Sequence, residues 1–315
     1  MKKTALQRTK FPFAISHHHQ LFFIGSCFSD HIGKKTKEVG IPTFQPLGTV
    51  FNPYSIADFL SRCIENDSLE DTIVQRQDVF LSWLTNSEIF GYKKEELIAT
   101  LNTIKKETTN QITKSDYLFV TLGTAWVYRL LSENKIVANC HKFPSDHFQK
   151  ELLTVSSIVD MWEKVIAQLK ENNAKLKIIF TVSPVRHSKD GLENNFLSKS
   201  ILRTAIHSLQ EKFDDCYYFP AFEKVNDELR DYAYFNQDGV HPNHFAIDEV
   251  WQLFLDSFVD SKTKEIIEQF LKLRTALNHK SLHPKSQENI AFKKKIEEEI
   301  KKFKLLYPTI TFNWT

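Results

Sequence analysis

The amino-acid sequence predicts an α/β fold in which helices wind a parallel sheet on both sides. Three observations carry that expectation. Continuous apolar runs at Leu21–Gly25, Tyr117–Leu122 and Lys177–Val182 read as strands buried on both faces. Segments with helical spacing alternate with them, as parallel βαβ units require. Loops with chemically active side chains follow the strand ends, at 25–29, 123–126, 183–187 and 236–242. Open parallel sheets hold their ligands at such ends.

Taken in chain order, the first strand ends at Gly25 and a helix is expected over 29–39, stopped by Gly40. Residues 42–53 form a loop of turn formers, with Gly48 and the Asn52-Pro53 pair. Helical spacing resumes over 54–64, with Ser55 placed to cap it, and over the charged segment 88–106. The strand Tyr117–Leu122 ends at Gly123-Thr124. A short β excursion is expected over 126–131 and 135–139, turning at Ser132-Glu133-Asn134. An amphipathic helix over 156–171 leads to the strand Lys177–Val182, which stops at Ser183-Pro184. A helix over 195–213, a short strand at 216–219 and a helix over 246–259 follow.

Beyond about residue 262 the chain becomes more highly charged. Two amphipathic helices, 265–278 and 288–304, are expected there, packed on the core or serving as a homodimer contact. The run Lys293-Lys294-Lys295 with Glu297-Glu298-Glu299 reads as a solvated helix face. The expected division is a main domain over 1–260 and a C-terminal helical extension over 261–315.

Composition excludes some functions. The 41 basic and 39 acidic residues leave a formal charge of +2, so no electrostatic case for a nucleic-acid partner arises. No run reaches the roughly 18 apolar residues of a membrane span, and segment 1–16 lacks the apolar stretch of a signal peptide. Cys27, Cys63, Cys140 and Cys216 have no CxxC spacing, which favours a reduced compartment, the cytoplasm. No metal or other cofactor is expected: Cys27 with His31, and Cys140 with His141, lack the clustering of a zinc site. His17-His18-His19 reads as exposed sequence without a role.

Two segments carry chemistry. In Gly25-Ser26-Cys27, a tight turn delivers small nucleophilic side chains to the start of a helix. Unpaired backbone N–H groups there favour an anion, so a lowered Cys27 pKa is expected. In Asp238-Gly239-Val240-His241-Pro242, His241 is placed to take the nucleophile's proton and Asp238 to orient the ring. Ser26 is the rival nucleophile, or else a cap for the turn or the helix.

The same residues resemble the GSCFA family, a bacterial group related to SGNH/GDSL hydrolases. Its motif is matched by Gly25-Ser26-Cys27-Phe28-Ser29, with Ser29 in place of the alanine. Further similar segments follow in order: Gly48-Thr49-Val50-Phe51-Asn52-Pro53, Leu122-Gly123-Thr124-Ala125-Trp126-Val127-Tyr128 and Asn139-Cys140-His141-Lys142. Ser183-Pro184-Val185-Arg186-His187, Phe219-Pro220-Ala221-Phe222-Glu223 and the Asp238–His241 segment complete the set. The resemblance implies a three-layer α/β/α sandwich of the flavodoxin-like type. Two departures stand out against the wider SGNH pattern: Gly-Asp-Ser becomes Gly25-Ser26-Cys27, and Gly-x-Asn-Asp becomes Gly123-Thr124-Ala125-Trp126. The second removes a side-chain amide that would help to hold an oxyanion.

Substrate-side candidates follow from these segments. Gly48, Thr49, Asn52, Gly123 and Thr124 are placed to supply oxyanion or substrate contacts. Arg186 offers a planar fork to an anion, beside His187. His141 is a candidate for lining the cleft, and Trp126 and Tyr128 for walling it. The expected activity is acyl-ester hydrolysis or acyl transfer by Cys27 or Ser26, on a small-molecule or carbohydrate ester, with no membrane partner. The alternative is a binding protein that keeps the cleft without turnover.

Overall fold

The computed structural model describes residues 4–7 and 10–314. Leu21–Gly25 (β1) leads into Cys27–Glu38 (α1), Thr43–Phe44 (β2) and Pro53–Glu65 (α2). A small antiparallel sheet follows, from Ile73–Arg76 (β3), Val79–Ser82 (β4) and Phe90–Gly91 (β5). Next come Lys94–Lys114 (α3), Tyr117–Leu122 (β6), and a second small sheet of Trp126–Leu130 (β7), Lys135–Val137 (β8) and Phe148–Leu152 (β9). Val155–Asn172 (α4), Lys177–Val182 (β10), Leu192–Lys212 (α5) and Cys216–Tyr218 (β11) complete the main alternation. After the single turn Ala221–Glu223 (α6), the helices His244–Phe258 (α7), Ser261–Leu277 (α8) and Gln287–Leu306 (α9) end the succession.

The five-stranded sheet runs β11-β10-β6-β1-β2, with every pair parallel. Counted by order among these five, that is the flavodoxin-like arrangement 2-1-3-4-5. Its order reverses between β1 and β6, which opens a crevice beyond their carboxyl ends.

Side chains alternate across the sheet because successive strand residues point to opposite faces. Phe22 and Ile24 enter a cluster with α2, α3, α4 and α5, while Leu21 and Phe23 enter another with α1, α7, α8 and α9. The abundant phenylalanines concentrate in the second cluster, where Phe23 and Phe119 stack at 4.6 Å against Phe254. Among the described residues, no helix is long and apolar enough to cross a membrane.

The first small sheet departs from the expected elements, whereas the second keeps the expected excursion as β7 and β8 and adds β9. Segment 73–91 forms a hairpin and an edge strand where a helix from residue 88 was expected. Helix α3 begins only at Lys94, where Glu96 accepts the N–H groups of Tyr92 (3.2 Å) and Lys93 (3.3 Å). The cap of α2 is Asn52 and not Ser55: its Oδ1 accepts the Ser55 N–H at 2.7 Å, and Pro53 suits the first turn. His17 is buried and not exposed, with Nε2 3.0 Å from the Val39 carbonyl.

Gly25 holds φ at +132°, and a Cβ there would lie 2.2 Å from the Thr121 carbonyl oxygen. Glycine alone fits. Gly25→Ala is therefore expected to lower stability by roughly 3 kcal/mol or more. Gly191→Ala, with φ +81° but open space around the new methyl, is expected to cost about 1 kcal/mol. Urea unfolding midpoints of the two variants check both values.

Candidate active site

Cys27 opens α1 directly beyond the β1 turn. The Ser26 N–H donates to the Thr121 carbonyl (3.1 Å) and the Val50 N–H to the Gly25 carbonyl (2.8 Å), which fixes the turn on both sides. From the other direction come His241 and Pro242. Together with Phe28, His31, Val185 and Ile247, Cys27 and His241 line one narrow crevice of about 20 Å³. That is room for about one water molecule.

The His241 loop is tightly organised although Asp238 and His241 are exposed. Asp238 Oδ1 accepts the N–H groups of Val240 (2.9 Å) and His241 (3.0 Å), and Oδ2 lies 2.7 Å from His241 Nδ1. The two amides first, and then the imidazole, hold the Asp238 carboxyl at about 2. With Nδ1 tied to Asp238, Nε2 is the ring atom left for proton transfer. Arg186 braces this loop from behind. Its guanidinium donates to the Gly239 carbonyl (3.1 Å) and lies over Phe235 at 4.1 Å and Tyr232 at 5.3 Å. The Arg186 guanidinium is thus engaged with its own chain.

The sulfur departs from expectation. Burial first, and the nearby Asp30 second, push the Cys27 thiol up. The backbone N–H groups of Phe28 and Cys27, with Lys199, pull the other way and do not prevail. Helix-end stabilisation operates, but desolvation of a half-buried thiol outweighs it. His31 stays neutral to lower pH than usual, chiefly through burial and then the adjacent Lys34 and Lys35. His187 is pushed down to about 4 by burial and then by Lys199.

The other predicted residues divide clearly. Ser26 is 1% exposed, and its hydroxyl has no hydrogen-bond partner among the described residues, so it caps neither turn nor helix. Gly123 and Thr124 both donate their N–H groups to the Phe51 carbonyl (2.7 and 3.2 Å), which leaves neither for an oxyanion. Asn52 is committed to capping α2 and to the Val137 carbonyl. Gly48 lies against the Asn86 side chain, and Thr49 donates to Asp30 (3.2 Å). His141 is buried, with Nδ1 2.9 Å from the Ser87 hydroxyl and Nε2 2.7 Å from the Ser82 carbonyl. Trp126 donates to the Asn194 carbonyl (3.3 Å), under the Lys150 ammonium.

His187 lies near a second space. Its ring meets the edge of Phe51 at 5.7 Å, and Phe51 with Tyr128, Cys140, Phe143 and Phe148 lines a pocket of about 450 Å³. Lys199 and Ser198 escaped the sequence reading, although a signal for them existed. Asn195, Ser198 and Lys199 continue the buried stripe of Leu202, Ala205, Ile206 and Leu209, where polar side chains are out of place. Among the described residues, no three His, Cys, Asp or Glu side chains are arranged to hold a metal ion.

Comparison with known proteins places the chain. The sequence profile of the GSCFA family matches residues 20–254. No curated protein matches the sequence. Among solved structures, the chain is similar to a family 3 carbohydrate esterase of Clostridium thermocellum, with a TM-score of 0.37 and 10% identity. That likeness covers 79% of this chain and 97% of the other. An acetyl xylan esterase from the rumen bacterium Butyrivibrio proteoclasticus is similar at a TM-score of 0.40 and 10% identity, over 76% of this chain and 63% of that one.

The Asp238 contacts make a pH prediction. A carboxyl held below its ordinary 3.8 keeps its contacts above that pH and loses them as pH falls through about 2. His241→Ala removes the imidazole but neither amide. In that variant Asp238 is expected to titrate above 2 yet still below 3.8, measured by carbon-13 NMR of its carboxyl.

Proposed function

The chain belongs to the GSCFA family, and on that premise we propose that it is a cysteine-dependent acyl-transfer enzyme. With water as acceptor it is an esterase; with a hydroxyl as acceptor it is an acyltransferase. One observation carries the reading: Cys27 and His241 line the same crevice, with His241 Nδ1 held by Asp238.

A thiol raised by burial does not ionise unaided at neutral pH, so a base is needed. His241 Nε2 takes the proton as Sγ attacks the ester carbonyl carbon. The carbonyl oxygen becomes an oxyanion facing the Cys27 and Phe28 N–H groups, which already favour negative charge at the sulfur. Collapse breaks the bond to the alcohol oxygen, which receives the proton from His241, and a thioester remains on Cys27. Water then attacks that thioester with His241 again as base, and acid and thiol are released. Ser26, sealed from the crevice, takes no part.

The remainder of the substrate occupies the pocket of about 450 Å³ beside His187. Aromatic faces with Asn139 and Lys189 among its lining suit an acylated sugar. A reducing compartment, the cytoplasm, suits a thiol nucleophile, and all four cysteines are free. The second reading, a binding protein without turnover, draws on the narrowness of the crevice and on the engaged Gly123 and Thr124 N–H groups.

Intact-protein mass spectrometry after exposure to activated acyl esters separates the two. An acyl adduct on Cys27 is expected, absent in Cys27→Ala and formed about 100-fold more slowly in His241→Ala. No adduct with any donor, alongside sugar binding that survives Cys27→Ala, would establish the binding protein instead.

A further inference from the structure

Lys199 has no part in the chemistry just described, yet it lies beneath it. It is 2% exposed, and its Nζ donates to the carbonyls of Gly123 (2.5 Å) and Ser183 (2.8 Å), the residues directly after β6 and β10. An ammonium taken out of water is costly unless a counter-charge is near. Burial draws the amine down to about 7, and Cys27 is the ionisable group among the described residues that raises its proton affinity.

Backbone contacts place the two groups in one neighbourhood independently. The Ser26 N–H bonds the Thr121 carbonyl two residues before Gly123, and Val185, two residues after Ser183, lines the crevice with Cys27. The other groups around the pair do not substitute for Lys199. Asp30 opposes ionisation of the sulfur, and His187 is itself driven neutral, in part by Lys199. His31 and His241 share the crevice with the sulfur, which Lys199 does not line.

We propose that Lys199 is a positioning residue whose ammonium, held by the Gly123 and Ser183 carbonyls, is the counter-charge of the Cys27 thiolate. The inference rests on Cys27 being the nucleophile. The sulfur's proton still passes to His241; Lys199 keeps its own proton while the sulfur is anionic. A plain clamp between two strand ends would need no charge, and that difference is measurable.

The test is the pH dependence of Cys27 alkylation by iodoacetamide, followed by mass spectrometry. Lys199→Met is expected to move the midpoint up by about one pH unit or more, a rate loss of about tenfold below the midpoint. Lys199→Arg is expected to keep most of the wild-type profile. An unchanged midpoint in folded Lys199→Met overturns the proposal. Should that variant not fold, coupling is reciprocal and can be read from the other partner. NMR titration of the Lys199 side chain is then expected to show its charge lost at lower pH in Cys27→Ser than in the wild type. Identical titrations overturn the proposal. Acylation of Cys27 with no such coupling removes only the role of Lys199. No alkylation or acylation at any pH removes the nucleophile with it.

Discussion

Everything at the carboxyl edge of the sheet depends on the passage of Gly25 across the Thr121 carbonyl. No side chain separates the two backbones there, so β1 can turn directly into α1 while remaining bonded to β6. That turn sets Cys27 at the point where strand order reverses. It also ties the Ser26 N–H to Thr121, two residues before Gly123, whose carbonyl takes the Lys199 ammonium. A larger residue would push β1 away from β6 and dissolve the relation among sulfur, imidazole and lysine together.

The site's charges are arranged asymmetrically. Asp238 is exposed but held ionised by two backbone amides, a preorganised acceptor that costs little to maintain. Cys27 is half-buried and held protonated by its surroundings. The result is a resting site in which the His241 ring is aligned and the Cys27 thiol is held neutral. Such a thiol resists oxidants and stray electrophiles, since the thiolate is the form that reacts with both.

Much of this was readable from residues alone because parallel strands buried on both faces leave continuous apolar runs. Leu21–Gly25, Tyr117–Leu122 and Lys177–Val182 were therefore identifiable to the residue. Strands β3, β4, β5 and β9 were not. They are short, partly exposed elements of small satellite sheets, and their mixed polarity carries no period. At the site, Cys27, Asp238 and His241 announce themselves by residue type. The side chains that occupy a backbone group did not. Phe51 draws off the Gly123 and Thr124 N–H groups through a main-chain carbonyl, which any residue could supply. Arg186 offers the same donors to a carbonyl as to a carboxylate, so composition could not tell a brace from a binding group. Lys199 was hidden because a lone lysine in a helix is ordinarily solvated.

The far end of α1 has its own anchor. Gly40 lies under Ile310 and Phe312, the Asn313 N–H reaches the Glu38 carbonyl at 3.3 Å, and Phe312 stacks on Phe270 of α8. The helix that carries the sulfur is thus seated at one end by the sheet and at the other by residues 310–313. During synthesis on a ribosome, its second support arrives only after nearly three hundred further residues have emerged. A nascent chain would carry the thiol on an unbraced helix, and an affinity tag or protease nick near residue 310 would bear on the Cys27 thiol from behind.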